Sequence, residues 1–208
     1  METALTHRSA INEKLSRSKE SNERLEYLGD AVLELATSEF LFHKFPSEPE
    51  GKLTAYRSAL VKTDTLAQVA KKLKLGEKLK MSKGEEKSGG RQNQSLLANT
   101  MEAVIGALYL DQGFEAVKKF LNQHLFPQVE EIVKQQLYKD PKSHLQELVQ
   151  ARKLPTPKYQ IVDEVGPDHN KIFTVQVLVD QKVVGKGKGK SKQQAQREAA
   201  RAAIEKYS

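Results

Sequence analysis

Four oxygen-bearing side chains at helical spacing carry the chemistry open to this chain. Glu26 and Asp30 lie four residues apart in residues 22–35 (NERLEYLGDAVLEL), and Asn99 and Glu102 lie three apart in LLANTMEAVIGAL. Residues three or four apart on a helix share a face, so each stretch presents a pair of oxygen donors. Two carboxylates side by side within an apolar stretch are costly unless something cationic compensates them. A divalent metal is the compensation that also does chemistry. Mg²⁺ takes oxygen ligands, keeps several waters and needs few carboxylates. Between two such helices it would activate a water as nucleophile and neutralise charge on a scissile phosphate. A lone acidic pair of this kind is ordinarily a solvated helix face. Here the neighbours are apolar and a second pair exists, which favours the metal.

The elements that must position these donors read as helices that are apolar nearly all round. Leu25, Leu28, Val32 and Leu35 recur at helical spacing, and Tyr27, Ala31, Leu33 and Ala36 fill much of the remaining circumference. Such a helix is expected to be buried. Residues 46–51 (PSEPEG) break it. The next helix puts Leu53, Leu60 and Val61 on one face, then Thr63 or Asp64 is the expected N-cap of another, striped by Leu66, Val69, Ala70 and Leu73. Residues 84–93 (GEEKSGGRQN) read as a polar loop, without the strand-to-helix context or the terminal Lys-Ser/Thr of a P-loop. Ser95 is the expected cap of the second acidic helix and Gly113 its end, with helix resuming over 114–136 and interrupted near Pro127. The grammar changes at 138–141. A helix over 143–151, strands over 159–165, 172–180 and 182–187, and an alanine-rich helix over 191–207 follow.

Composition narrows the classes. The 208 residues fit one large domain or two small ones, and 38% hydrophobic residues suffice for a core. The absence of cysteine excludes disulfides, thiolate metal sites and cysteine nucleophiles. No apolar run is long enough to span a membrane, and METALTHRSA does not read as a signal peptide, so a soluble cytoplasmic protein without a membrane partner is expected. The net charge of +7 favours a polyanionic partner, and residues 140–208 hold +5 of it, with 13 basic against 8 acidic side chains.

The stretch NERLEYLGDAVLEL resembles the signature of the ribonuclease III family, endonucleases that cut double-stranded RNA. LTHRSAINE, EGKLTAYRSALV, GEEKSGGR and LLANTMEAVIGALYLDQG agree with it in the expected order, and the remainder resembles a double-stranded-RNA-binding domain. The resemblance implies a multidomain fold: an all-α ribonuclease III-type catalytic and dimerisation domain over 1–138, then an α+β (α-β-β-β-α) double-stranded-RNA-binding domain over 139–208. It places the family's acidic positions at Glu26, Asp30, Asn99 and Glu102 as metal-binding residues for Mg²⁺, with Mn²⁺ as a substitute, and Asp30 and Glu102 as the most demanding, catalytic pair. Glu50 matches a further acidic position. Asn99 departs from the family's usual Asp. An amide oxygen still ligates Mg²⁺ but adds no charge and cannot act as a base, which leaves open a second reading, an RNA-binding regulator with impaired catalysis.

In the C-terminal part the resemblance assigns RNA contacts to Gln146 and Glu147 on the first helix, His169 at the tip of a strand–strand loop, and Lys190, Ser191 and Lys192 before the last helix. Such modules reach sugars and phosphates across minor grooves, and a helix N-terminus favours phosphate. Gln193 and Gln196 stand where the family tends to have lysines, with Lys186, Lys188 and Arg197 as expected compensation, so affinity should be modest and salt-dependent. His7 reads as a structural histidine. By resemblance the protein is a homodimer with Tyr27 near the two-fold contact. It should process ribosomal and messenger RNA precursors, leaving 5′-phosphates and short 3′ overhangs. Members of the family usually begin somewhat earlier than this chain.

Overall fold

The computed structural model describes residues 1–13, 16, 18–167 and 171–207. The chain forms two compact units, Met1–Tyr138 and Lys139–Ser208. Among the described residues no helix is long and apolar enough to cross a membrane.

The first unit is helical: α1 (Arg8–Asn12), α2 (Glu23–Lys44), α3 (Glu50–Val61), α4 (Thr63–Lys72), α5 (Leu75–Lys78), α6 (Lys83–Lys87), α7 (Gln94–His124) and α8 (Val129–Lys134), with short 3₁₀ turns between some of them. Its core gathers Leu33 and Leu41 of α2, Leu60 of α3, Leu66 of α4 and Leu97, Met101, Ile105 and Leu121 of α7. The N-terminal segment is tied down by backbone bonds from His7 N to Lys80 O and from Lys80 N to Leu5 O, each 2.9 Å.

Several boundaries differ from the sequence expectation for identifiable reasons. Asn93, not Ser95, caps α7, its side chain accepting from Leu96 N at 3.1 Å. Neither Thr63 nor Asp64 is the N-cap of α4. An extended Lys62 breaks the chain between α3 and α4, and Thr63 is already helical. The expected loop over 84–93 contains α6, capped by Ser82, and a 3₁₀ turn. Gly113 does break the helix as expected: at φ 78, ψ -178, a backbone state that glycine adopts without steric cost, the chain leaves the helical region, and a second helical stretch, counted within α7 across this kink, runs on to His124. Near Pro127 a 3₁₀ turn separates α7 from α8, as proline demands.

The expectation that α2 is buried all round fails. Tyr27, Leu35 and Phe42 are 83%, 61% and 66% exposed, and Ala31 between them is exposed too. One face packs on the core while the other forms an apolar stripe on the surface.

The second unit runs α9 (Pro141–Ala151), β1 (Lys158–Val165), β2 (Ile172–Val179), β3 (Lys182–Gly189) and α10 (Lys192–Ile204), with an antiparallel sheet in the order β1-β2-β3. Asp180 and Gln181, both at positive φ, turn β2 into β3 as a two-residue hairpin must. Alternation on β3 sorts GKGKGK by face. Gly185, Gly187 and Gly189 are buried against α10, where a Cβ on Gly187 would meet Ala199 N at 2.2 Å, while Lys186 and Lys188 point the other way. The glycines are there because the helix backbone lies on the strand.

Candidate active site and RNA-binding surface

Two glycines bring the acidic pairs together. A Cβ on Gly29 would lie 1.8 Å from the carbonyl oxygen of Glu102, and one on Gly106 would lie 2.2 Å from that of Leu25. Helices α2 and α7 therefore cross backbone to backbone. The crossing sets Glu26 and Asp30 of α2 beside Asn99 and Glu102 of α7. The glycine signal was present in the sequence, but its meaning required knowing which helices meet.

Electrostatics report the convergence. Burial, then Asp30, then Glu26 push the Glu102 carboxyl up to about 7. Glu26 is raised by burial and by Glu23, with Asp30 adding a smaller push, while a side-chain hydrogen bond from Asn99 acts in the opposite direction. Asp30 is the exposed member; Glu26, Asn99 and Glu102 are half-buried. Among the described residues no Lys or Arg forms an ion pair with Glu26, Asp30 or Glu102. Three carboxylates thus repel one another across the crossing with no protein cation between them. An all-oxygen set carrying three negative charges fits a hard divalent cation. Among the described residues no three His, Cys, Asp or Glu side chains are already closed into a metal-ligating group.

The remaining predicted residues of this unit fall elsewhere. Glu50 opens α3, accepts from Thr54 Oγ1 at 3.0 Å, and shares a cleft of about 260 Å³ with Ser38, Phe42 and Arg57. Tyr27 heads the apolar stripe of α2. His7 caps α1, its Nδ1 accepting from Ser9 N at 3.4 Å, a structural role.

On the second unit, Gln146 and Glu147 are exposed on α9, and Glu147 pairs with Lys139. His169 lies outside the described residues. Ser191 caps α10, accepting from Gln194 N at 3.1 Å, while Lys190 N donates to Gln194 Oε1 at 2.9 Å. Lys192 Nζ lies 3.7 Å from Glu164 and 5.7 Å from the Phe173 ring centroid. The expected compensation for Gln193 and Gln196 fails in two places. Arg197 is turned to Asp140, 3.3 Å away, and Lys186 and Lys188 occupy the sheet face opposite α10.

Residues 1–129 match the family described as Ribonuclease-III-like, and residues 141–207 the double-stranded RNA binding motif. Ribonuclease 3 of Streptococcus pneumoniae, strain P1031, is 45% identical over 206 residues, which is 99% of this chain and 88% of that protein. A solved nuclease domain of the Campylobacter jejuni ribonuclease III, described as flexible in a region involved in dimer formation, aligns with a TM-score of 0.53 at 44% identity, covering 58% of this chain and 80% of the other. A catalytic-unit match over more than half the sequence, an RNA-binding motif over most of the rest, and a relative similar from end to end place the chain in the ribonuclease III family.

Proposed function

We propose that this protein is a metal-dependent endoribonuclease that cuts double-stranded RNA as a homodimer. Residues 1–138 would cut and dimerise, and residues 139–208 would grip the duplex. The observation that carries it is the α2–α7 crossing at Gly29 and Gly106, which sets three uncompensated carboxylates and one amide face to face. Glu26, Asp30, Asn99 and Glu102 would hold Mg²⁺, or Mn²⁺ in its place. A bound cation of this kind supplies a water of lowered pKa and neutralises charge on the scissile phosphate. The chain's own part is to hold and orient. Asp30, the exposed member, would face incoming RNA, and the half-buried Glu102, whose charged form is disfavoured by burial and by Asp30 and Glu26, would gain most from a bound cation. Asn99, beside Glu26, would add its amide oxygen to the set.

The exposed stripe of Tyr27, Ala31, Leu35 and Phe42 supports the dimer, since an apolar helix face of this length is rarely left in water. Two such sites would cut opposite strands, leaving 5′-phosphates and short 3′ overhangs, and cytoplasmic precursors of ribosomal and messenger RNA are the substrates we propose. The regulator reading based on Asn99 is not favoured, because that residue keeps an oxygen donor in the set.

Purified protein given a long RNA duplex and Mg²⁺ should yield short duplex products, and EDTA should stop it. Glu102→Gln should reduce the rate by about 10³-fold or more, since a change of this size corresponds to roughly 4 kcal/mol of lost transition-state stabilisation. An intact duplex at high protein concentration would reject the proposal.

A further inference from the structure

We propose that Lys142 is a phosphate-gripping residue of the RNA-binding unit, standing in for a charge that α10 lacks at Gln196. This assignment rests on the proposal that α9 and the start of α10 face duplex RNA. Lys192 and Gln196 are one turn apart on α10 and share a face, so only the first of them is charged. Three of the other cations near that face are engaged or turned away: Arg197 lies against Asp140, and Lys186 and Lys188 leave the sheet on its opposite side.

Lys142 reaches across from α9. Its Nζ donates to Gln196 Oε1 at 2.8 Å and sits 5.0 Å from the centroid of the Tyr159 ring. Both partners are uncharged, and among the described residues no carboxylate forms an ion pair with Lys142. The ammonium is therefore positioned without being neutralised. A cation held over an aromatic face keeps its charge while losing side-chain freedom, which lowers the entropy cost of gripping a ligand. Lys142 also precedes Gln146 by four residues and shares its face of α9. It stands where the row Lys142–Gln146 meets the row Lys192–Gln196. A strand of RNA bridging the two helices passes this ammonium, and Gln196, neutral where a lysine would repel Lys142, is what lets it stand there. Gln196 and Tyr159 are positioning residues, and Lys142 makes the contact.

The test is equilibrium binding of the full chain to an RNA duplex of about 20 base pairs, longer than the roughly 16 that such a module spans. EDTA is present so that nothing is cut, and salt is varied. Lys142→Gln is expected to weaken binding several-fold at the lowest salt and to flatten the slope of log K against log salt by about 0.9, the share of one phosphate contact. Lys142→Arg should keep the slope. If Lys142→Gln merely melts at lower temperature with an unchanged slope, the residue is structural and the proposal is overturned. Lys192→Gln tests the underlying placement separately. If it flattens the slope while Lys142→Gln does not, only the role of Lys142 falls. If neither changes the slope, the placement of RNA on α9 and α10 falls with it.

Discussion

Glu102 is held by the fold against its own preference. Burial, Asp30 and Glu26 keep its carboxyl protonated up to about 7, whereas an unfolded chain releases that proton near its ordinary value of 4.5. Between those two values the native state binds more protons than the unfolded one, so the metal-free protein loses stability as pH rises through that window and levels off above it. Glu102→Gln never ionises. In EDTA it should therefore raise the melting temperature by a few degrees at about pH 8, from roughly 1–3 kcal/mol of relieved repulsion and desolvation, and change it little at about pH 4. Differential scanning calorimetry at the two pH values decides this, and equal melting of variant and parent at the higher pH would mean that the carboxylate carries no strain. The same substitution should abolish cleavage. A change that stabilises a protein while disabling it marks a group kept for chemistry, not for packing.

At the scale of elements, the crossing of α2 and α7 depends on two missing side chains. Gly106→Ala drives a methyl to within 2.2 Å of a backbone carbonyl that cannot rotate away, so the helices must separate. A loss of about 3 kcal/mol or more is expected by urea unfolding, at the upper end of what overpacking causes. Cleavage at limiting metal should fall further than stability alone explains, because the donors on the two helices move apart together. Gly51→Ala is the matched control. Nothing lies within 4 Å of its added methyl, and it sits in the first turn of α3, so its stability should change by less than about 0.5 kcal/mol. Helix α10 repeats the device on a sheet, where Gly185, Gly187 and Gly189 admit the backbone around Ala195 and Ala199.

For the whole molecule the deciding surface is the stripe of Tyr27, Leu35 and Phe42 on α2. Leu35→Asp places a charge at its middle without touching the core, since Leu35 is 61% exposed. Sedimentation should then show a monomer where the parent is a dimer, with cleavage of both strands lost and RNA binding by residues 139–208 retained. A parent that sediments as a monomer at micromolar concentration would remove the dimer from the proposal.

What residue order settled is local. The i,i+4 and i,i+3 spacings put Glu26 with Asp30 and Asn99 with Glu102 on shared helix faces, and the change from helical to alternating periodicity marked where strands begin, because both periods are properties of the backbone itself. Capping was legible only to within a residue or two. Asn93 and Ser95 are both competent N-caps, and their choice depends on where the preceding turn releases the chain. Contacts between elements were settled by the fold. Hydropathy could not tell the face of α2 that packs on α7 from the face that Tyr27 and Leu35 leave exposed, since both are apolar. Nor could composition say that Arg197 would turn to Asp140 and Lys142 to Gln196. Spacing along a chain specifies what shares a helix face. Only packing specifies what that face meets, because a backbone contact such as Gly29 on Glu102 joins residues far apart in the chain.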